Sequence, residues 1–303
     1  MSRSHHRSTA KPAPYGAGDA LAYSTLIGSE ALARRIGDPK LVIVDVRHQL
    51  AEAEPWGEHE YAKGHVPGAV FAHIDRDLSA PKTGRNGRHP LPTPEAAAEV
   101  FGRLGIGPSS QVVAYDQDNG LYAARLWWML RWLGHDAVAV LDGGYAQWVR
   151  EGRAVETETP HPARTRFTPR AVLPTVSATG IAASLPRHAL VLLDARGAER
   201  YRGDVEPIDP VAGHIPGAIN RPYTRNVGAD GRFRSAHDLR VEFEGMLHGR
   251  AAEDLVHYCG SGISACHNVL AMAVAGYPLT RLYPGSWSEW SADPKRPVAR
   301  GQV

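Results

Sequence analysis

Leu41-Val42-Ile43-Val44-Asp45-Val46-Arg47 and Leu190-Val191-Leu192-Leu193-Asp194-Ala195-Arg196 follow one pattern: four apolar residues, an aspartate, a further apolar residue and an arginine. Beyond each of them comes a second shared stretch, Gly64-His65-Val66-Pro67-Gly68-Ala69 and Gly213-His214-Ile215-Pro216-Gly217-Ala218, at the same offset of 149 residues. Two more pairs follow in the same order. Val112-Val113-Ala114-Tyr115-Asp116 matches Leu255-Val256-His257-Tyr258-Cys259, and Leu141 to Trp148 matches Tyr283 to Trp290, at offsets of 143 and 142. Four ordered matches make the chain an internal duplication whose second copy is slightly shorter. The runs Leu41 to Val44 and Leu190 to Leu193 are apolar throughout, as strands covered on both faces must be. They alternate with amphipathic stretches such as Leu121 to Leu133 and Ile263 to Ala275, so each half reads as an α/β unit of parallel strands and crossover helices.

The bulk composition agrees with two soluble domains. At 303 residues the chain exceeds the usual size of a single core. Its 43% hydrophobic and 22% charged residues are ordinary for a globular protein, and no apolar run reaches the roughly 18 residues of a membrane span. A formal charge of +2 gives no reason to expect a nucleic-acid partner, so anion binding has to come from locally placed arginines. Residues 1–20, rich in Ser, His, Pro, Gly and Ala, read as a flexible leader. Residues 21–150 then form the first domain, 151–174 a Pro-, Thr- and Arg-rich linker without a counterpart in the repeat, and 175–303 the second domain. Two cysteines and no apolar signal core point to a cytoplasmic location.

The chemistry centres on Cys259. It ends the apolar run Leu255-Val256-His257-Tyr258 and opens Cys259-Gly260-Ser261-Gly262-Ile263-Ser264-Ala265, after which a helix begins. Gly260 and Gly262 allow the backbone to curl at positive φ, so that several N–H groups, with the helix N-terminus behind them, converge on one anionic atom. Such a cradle lowers a thiol's pKa and makes the thiolate available as a nucleophile. Cys266 falls inside the helical stretch and reads as a small packed hydrophobe. The spacing of the two cysteines fits neither a Cys-x-x-Cys redox pair nor a zinc site.

On these motifs the chain resembles the tandem-domain rhodanese family of thiosulfate and 3-mercaptopyruvate sulfurtransferases. The loop is most similar to the mercaptopyruvate branch, while the Gly-His-Ile-Pro-Gly-Ala turn and Gly285-Ser286-Trp287-Ser288-Glu289-Trp290 are shared more widely. The resemblance implies two doubly wound domains, of which only the second keeps the cysteine, since Asp116 stands at that place in the first. It implies a Cys259 persulfide, formed from a small anionic donor (3-mercaptopyruvate or thiosulfate) and passed to a thiol, to cyanide or to a thioredoxin-like protein, with no metal or organic cofactor. Loop residues Gly260, Ser261, Gly262, Ile263 and Ser264 would surround the donor. Arg200, in Asp194-Ala195-Arg196-Gly197-Ala198-Glu199-Arg200, would hold its anionic end, and Arg196 would pair with a carboxylate. From the first half, Ala72-His73-Ile74-Asp75 and His89-Pro90-Leu91-Pro92 resemble stretches that supply a relay, here Asp75, His89 and Ser261, protonating the departing enolate. His65 and His214 recur in both halves and read as structural.

Two other classes compete. A cysteine-dependent phosphatase or arsenate reductase of related fold would need arginine at the end of a Cys-x5-Arg loop, where this chain has Ala265. A non-catalytic rhodanese-like binding module usually lacks the cysteine. The donor is left open by one departure: the mercaptopyruvate branch usually has a second arginine before its Gly-His-Ile-Pro-Gly-Ala turn, whereas Asp204 to Ala212 contains no basic residue. Glu206 and Asp209 in that stretch would repel an anionic donor if they faced the site, but are expected to be solvated. The neutral, small Gly260 and Ser261 still tilt the reading toward mercaptopyruvate.

Overall fold

The computed structural model describes residues 22–50 and 55–301; the leader assigned to residues 1–20 lies outside them. In the first half the strands are β1 (Leu26–Ile27), β2 (Leu41–Asp45), β3 (Val70–Phe71), β4 (Gln111–Tyr115) and β5 (Val138–Leu141). In the second half they are β6 (Val191–Asp194), β7 (Ile219–Asn220), β8 (Leu255–Tyr258) and β9 (Arg281–Leu282). All pairings are parallel, in the orders β1-β5-β4-β2-β3 and β7-β6-β8-β9.

Side-chain alternation along the central strands explains their unbroken apolar sequence. Val112 and Ala114 of β4 face one layer with Leu126, Trp127 and Leu130, whereas Val113 and Tyr115 face the other with Trp148. In the second half Val256 and Tyr258 meet Trp287 and Trp290, while Leu255 meets Leu239 and Phe243 across the sheet. Both faces of both sheets are therefore covered, as doubly wound folds require.

The duplication extends to buried polar groups. Arg47 is paired with Asp45 and donates to the Gly64 carbonyl; Arg196 is paired with Asp194 and donates to the Gly213 carbonyl. All four of these contacts are 2.7 Å long. Each guanidinium thus ties the end of a central strand to the turn that follows the next helix. His65 stacks on Tyr61 and bonds its carbonyl, and His214 does the same with Tyr201. Both imidazoles are fully buried, which agrees with their structural reading.

The halves meet through the helices that follow β4 and β8, Ala123–Trp132 and Ser264–Val274. Leu126, Leu130, Cys259, Ile263, Val269 and Leu270 share one hydrophobic cluster across that boundary. In each sheet the strand order reverses between the two central strands (β2 and β4, β6 and β8), and the loops at their carboxyl ends border the crevice where open α/β sheets bind ligands. The 151–174 stretch runs along the first half: Thr165 donates to Gly102, Arg170 to Leu133 and Leu173 to Trp132.

Candidate active site

Cys259 stands one residue past β8 and is 2% exposed. Its N–H donates to Ser286 Oγ at 3.1 Å, and its carbonyl accepts from Trp287, so the residue is fixed on both sides by the turn after β9. The Gly262 N–H donates to Cys259 Sγ at 3.1 Å. Among the described residues this is the one backbone N–H recorded on the sulfur, fewer than the sequence led us to expect.

The two loop glycines also divide their work differently from that expectation. Gly262 has φ +82°, and a β-carbon there would lie 2.3 Å from the Pro284 carbonyl oxygen, so both conformation and space demand glycine. Gly260 does not take a positive φ. A β-carbon on it would instead lie 2.7 Å from Arg88 Nη2 and 3.4 Å from Arg200 Nη1. Two guanidinium groups therefore lie over Gly260.

Those arginines border a cleft of about 160 Å³ together with His89, Tyr122, Tyr223, Cys259, Ser261 and Ser264. Ile263, Gly260 and Arg196 also line it. That volume suits a donor of a few heavy atoms and is well below the roughly 300–1,000 Å³ of a drug-sized site. Arg200 is held from behind: Nη2 donates to Glu206 Oε1 at 2.6 Å and to Asp209 Oδ2 at 3.0 Å, and Nε to Glu206 Oε2 at 3.2 Å. The expectation that Glu206 and Asp209 are solvated is overturned, because both side chains are 3% exposed. Buried carboxylates need partners, and the arginines after β6 and in the first half provide them. Arg196 is paired with Asp194 and Glu206 and lies over the Trp287 ring, a structural position as expected.

Asp75, His89 and Ser261, expected to form a relay, come together between the two halves. His89 Nδ1 is 2.7 Å from Ser261 Oγ, and His89 Nε2 is 3.7 Å from Asp75 Oδ1. The carboxylate beside Nε2 favours a proton there, which leaves Nδ1 to accept the Ser261 hydroxyl proton. Burial pushes the His89 imidazole down to about 3 against the pull of Asp75. Burial also acts to raise the Asp75 carboxyl, but Lys82, 2.8 Å away, and His89 outweigh it and lower the pKa. His48, Asp75 and His89 are the described group able to gather around a metal ion, with ligand atoms within 4.8 Å of one another, yet the Lys82 ammonium already occupies the Asp75 oxygen.

The first half shows what the same loop does without a thiol. Asp116 turns its carboxylate into its own loop and accepts from the N–H groups of Tyr122 (2.7 Å), Gly120 (2.9 Å), Asp118 (3.2 Å) and Ala123 (3.2 Å). Cys266 donates to the Gly262 carbonyl, and burial pushes its thiol up to about 12, so it stays protonated as a packing residue. Ala265 is fully buried in the helix, where a Cys-x5-Arg phosphatase would need its guanidinium.

Two arginines escaped the reading of the sequence. Arg88 was hidden by its neighbour His89 in a Gly- and Pro-rich loop, although a basic residue beside a candidate histidine was a usable signal. Arg125 interrupts the apolar helix Ala123–Trp132 and is fully buried, reaching the carbonyls of Leu78, His89 and Gly262 at 3.3–3.4 Å. An arginine between Ala123-Ala124 and Leu126-Trp127-Trp128-Met129-Leu130 was the visible sign of an internal contact.

A duplicated parallel α/β scaffold with one strand-end cysteine beneath guanidinium groups defines a cysteine-dependent enzyme for small anionic substrates. The chain belongs to the rhodanese family: the model of the Rhodanese-like domain matches residues 29–151 and 177–293. It is 48% identical over 280 residues to a Pseudomonas aeruginosa protein described as a "probable 3-mercaptopyruvate sulfurtransferase", covering 91% of this chain and 98% of that one. It is 43% identical over 272 residues to a Mycobacterium tuberculosis protein provisionally named a thiosulfate sulfurtransferase, covering 88% and 92%. The 3-mercaptopyruvate sulfurtransferase from Leishmania major has the same architecture, with a TM-score of 0.78 at 30% identity over 88% of this chain and 74% of that one. The protein is a sulfurtransferase that carries a sulfane sulfur as a persulfide on the cysteine of its second half. No helix among the described residues is long and apolar enough to cross a membrane.

Proposed function

We propose that the protein takes sulfur from 3-mercaptopyruvate in preference to thiosulfate, and passes it from Cys259 to a small thiol, to cyanide or to a thioredoxin-like dithiol in the cytoplasm. The observation that carries the donor choice is the Asp75-His89-Ser261 chain beside the cysteine. In the first step the Cys259 thiolate attacks the donor's sulfur, the carbon–sulfur bond breaks, and the electron pair leaves as the enolate of pyruvate. The proton on the donor sulfur has to reach the enolate carbon, giving pyruvate and an anionic Cys259 persulfide. The Ser261 hydroxyl passes this proton from sulfur to carbon, oriented by the neutral His89, while Asp75 holds the imidazole. Thiosulfate needs no such transfer, since sulfite leaves as an anion.

Arg200 holds the donor's anionic end, and Gly260, Gly262, Ile263 and Ser264 form the wall around the transferred sulfur. The first half, with Asp116 filling its own loop, serves as the scaffold that delivers Asp75 and His89. The domain limits 21–150, 151–174 and 175–303 are part of the same proposal. Measuring kcat/KM for 3-mercaptopyruvate and thiosulfate on one preparation tests the donor choice, because that ratio reports differential transition-state binding. The expected result favours 3-mercaptopyruvate; a thiosulfate preference would overturn it.

A further inference from the structure

We infer that Arg88, from the first half of the chain, is the second guanidinium of the donor-anion clamp, paired with Arg200 and held in place by Asp209. The inference rests on the sulfurtransferase reading of the same cleft. Its geometry is that of a built site. Asp209 uses one carboxylate oxygen for Arg88 Nη1 and the other for Arg200 Nη2. Glu206 takes Nε and Nη2 of Arg200. Of the guanidinium donors left without a protein acceptor among the described residues, Arg88 Nη2 and Arg200 Nη1 lie over Gly260, next to Cys259. Arg88 Nε is buried and also unpartnered.

Two guanidinium groups this close would repel each other in an empty cleft. A buried carboxylate shared between them offsets that repulsion on the side away from the cysteine, and turns the unspent N–H groups toward it. Arg88 is anchored by its backbone as well. Its N–H donates to Ser288 Oγ at 3.0 Å. The preceding Gly87, at φ +87°, sits where a β-carbon would be 2.8 Å from the Gly285 carbonyl oxygen. The loop carrying Arg88 is therefore docked on the same turn that fixes Cys259. The second half offers no further basic side chain from residue 204 to 212, so the anion's second ligand comes across the domain boundary. A planar carboxylate, or the oxygens of a sulfonate-like group, would meet one guanidinium edge from each half.

Alkylation of Cys259 by iodoacetate and by neutral iodoacetamide, followed by mass spectrometry of the Cys259 peptide, reads the clamp without any sulfur donor. Thiolate reactivity affects both reagents alike and cancels in the ratio of rates. The wild-type chain should favour iodoacetate. Arg88→Gln should lower the iodoacetate/iodoacetamide ratio by about fivefold or more, with the iodoacetamide rate little changed, while Arg88→Lys keeps the ratio within about twofold because the charge remains. With the donor that the wild-type enzyme prefers, both variants should raise KM by about 10- to 100-fold and leave kcat within a few-fold, since Lys cannot reproduce the planar contact. An unchanged ratio and KM in Arg88→Gln would overturn the inference. So would equal losses with both alkylating reagents, which would mark Arg88 as structural. A wild-type preference for thiosulfate would sink the donor proposal and leave this result to stand or fall by itself.

Discussion

Ser261 and His89 are asked to do something that only one of the two candidate donors requires. His89 is neutral at physiological pH because burial holds its pKa near 3, so its Nδ1 accepts from the Ser261 hydroxyl and orients that hydroxyl to pass the donor's proton from sulfur to carbon. Ser261→Ala removes the shuttle but neither Cys259 nor the arginines. With 3-mercaptopyruvate, kcat should fall by about 100-fold or more, the usual contribution of general acid–base catalysis. With thiosulfate, kcat should stay within about twofold. Steady-state kinetics on both donors checks the split, and an equal loss on both would show that Ser261 supports the loop rather than moving a proton. Cys259 and Ser261 were legible in the sequence because they sit in one short loop after an apolar strand. The Arg88–Asp209 pair was not: its partners are 121 residues apart, and nothing local reveals that two buried carboxylates face two arginines.

At the scale of elements, the unit that makes the nucleophile is β8, the loop through Ile263, and the helix Ser264–Val274. The sequence revealed this unit because each part has a strong local signature: a buried apolar strand, two glycines and an apolar helix. It could not distinguish the two glycines. Gly262 answers to its own backbone angle and the Pro284 carbonyl, whereas Gly260 has no positive φ and lies beneath arginines from elsewhere in the chain. The long central strands were likewise plain in the repeat, while β1, β3, β7 and β9, at two residues each, have too little pattern to be read. They exist because a neighbouring strand offers them hydrogen-bond partners. Among the described residues the second sheet has four strands against five in the first, a difference that the matched motifs did not disclose.

Across the whole molecule, folding buries histidines that cannot readily be charged. Burial holds His89 and His257 at about 3 and His267 at about 4, against 6.5 for the free side chain. Below pH 6.5 the unfolded chain gains protons at these positions and the native state does not, so stability is full above that pH and declines as pH falls. Each such histidine contributes about 1.4 kcal/mol per pH unit once well below 6.5. Chemical denaturation at pH 7, 6 and 5 should show the midpoint dropping at each step, more steeply at the second. A flat midpoint over that range would contradict the buried neutral histidines. His267 donates from Nε2 to the Asn119 carbonyl of the first half at 2.9 Å and accepts from the Asn226 amide at Nδ1, so a second proton would cost the Asn226 contact within the second half. Arg125 closes the same boundary from the other side, reaching the carbonyls that precede Pro90 and follow the Gly262 amide.

Everything converges on one atom, Cys259 Sγ, at the end of β8 and at the junction of the two halves. Incubating the chain with 3-mercaptopyruvate in the absence of an acceptor, then digesting it under non-reducing conditions for mass spectrometry, tests whether sulfur stops there. The peptide containing Cys259 should gain one sulfur atom that a thiol or cyanide removes, and Cys259→Ser should gain none while Cys266→Ala behaves as the wild type does. A persulfide found on Cys266 instead, or sulfur transfer that survives Cys259→Ser, would contradict it.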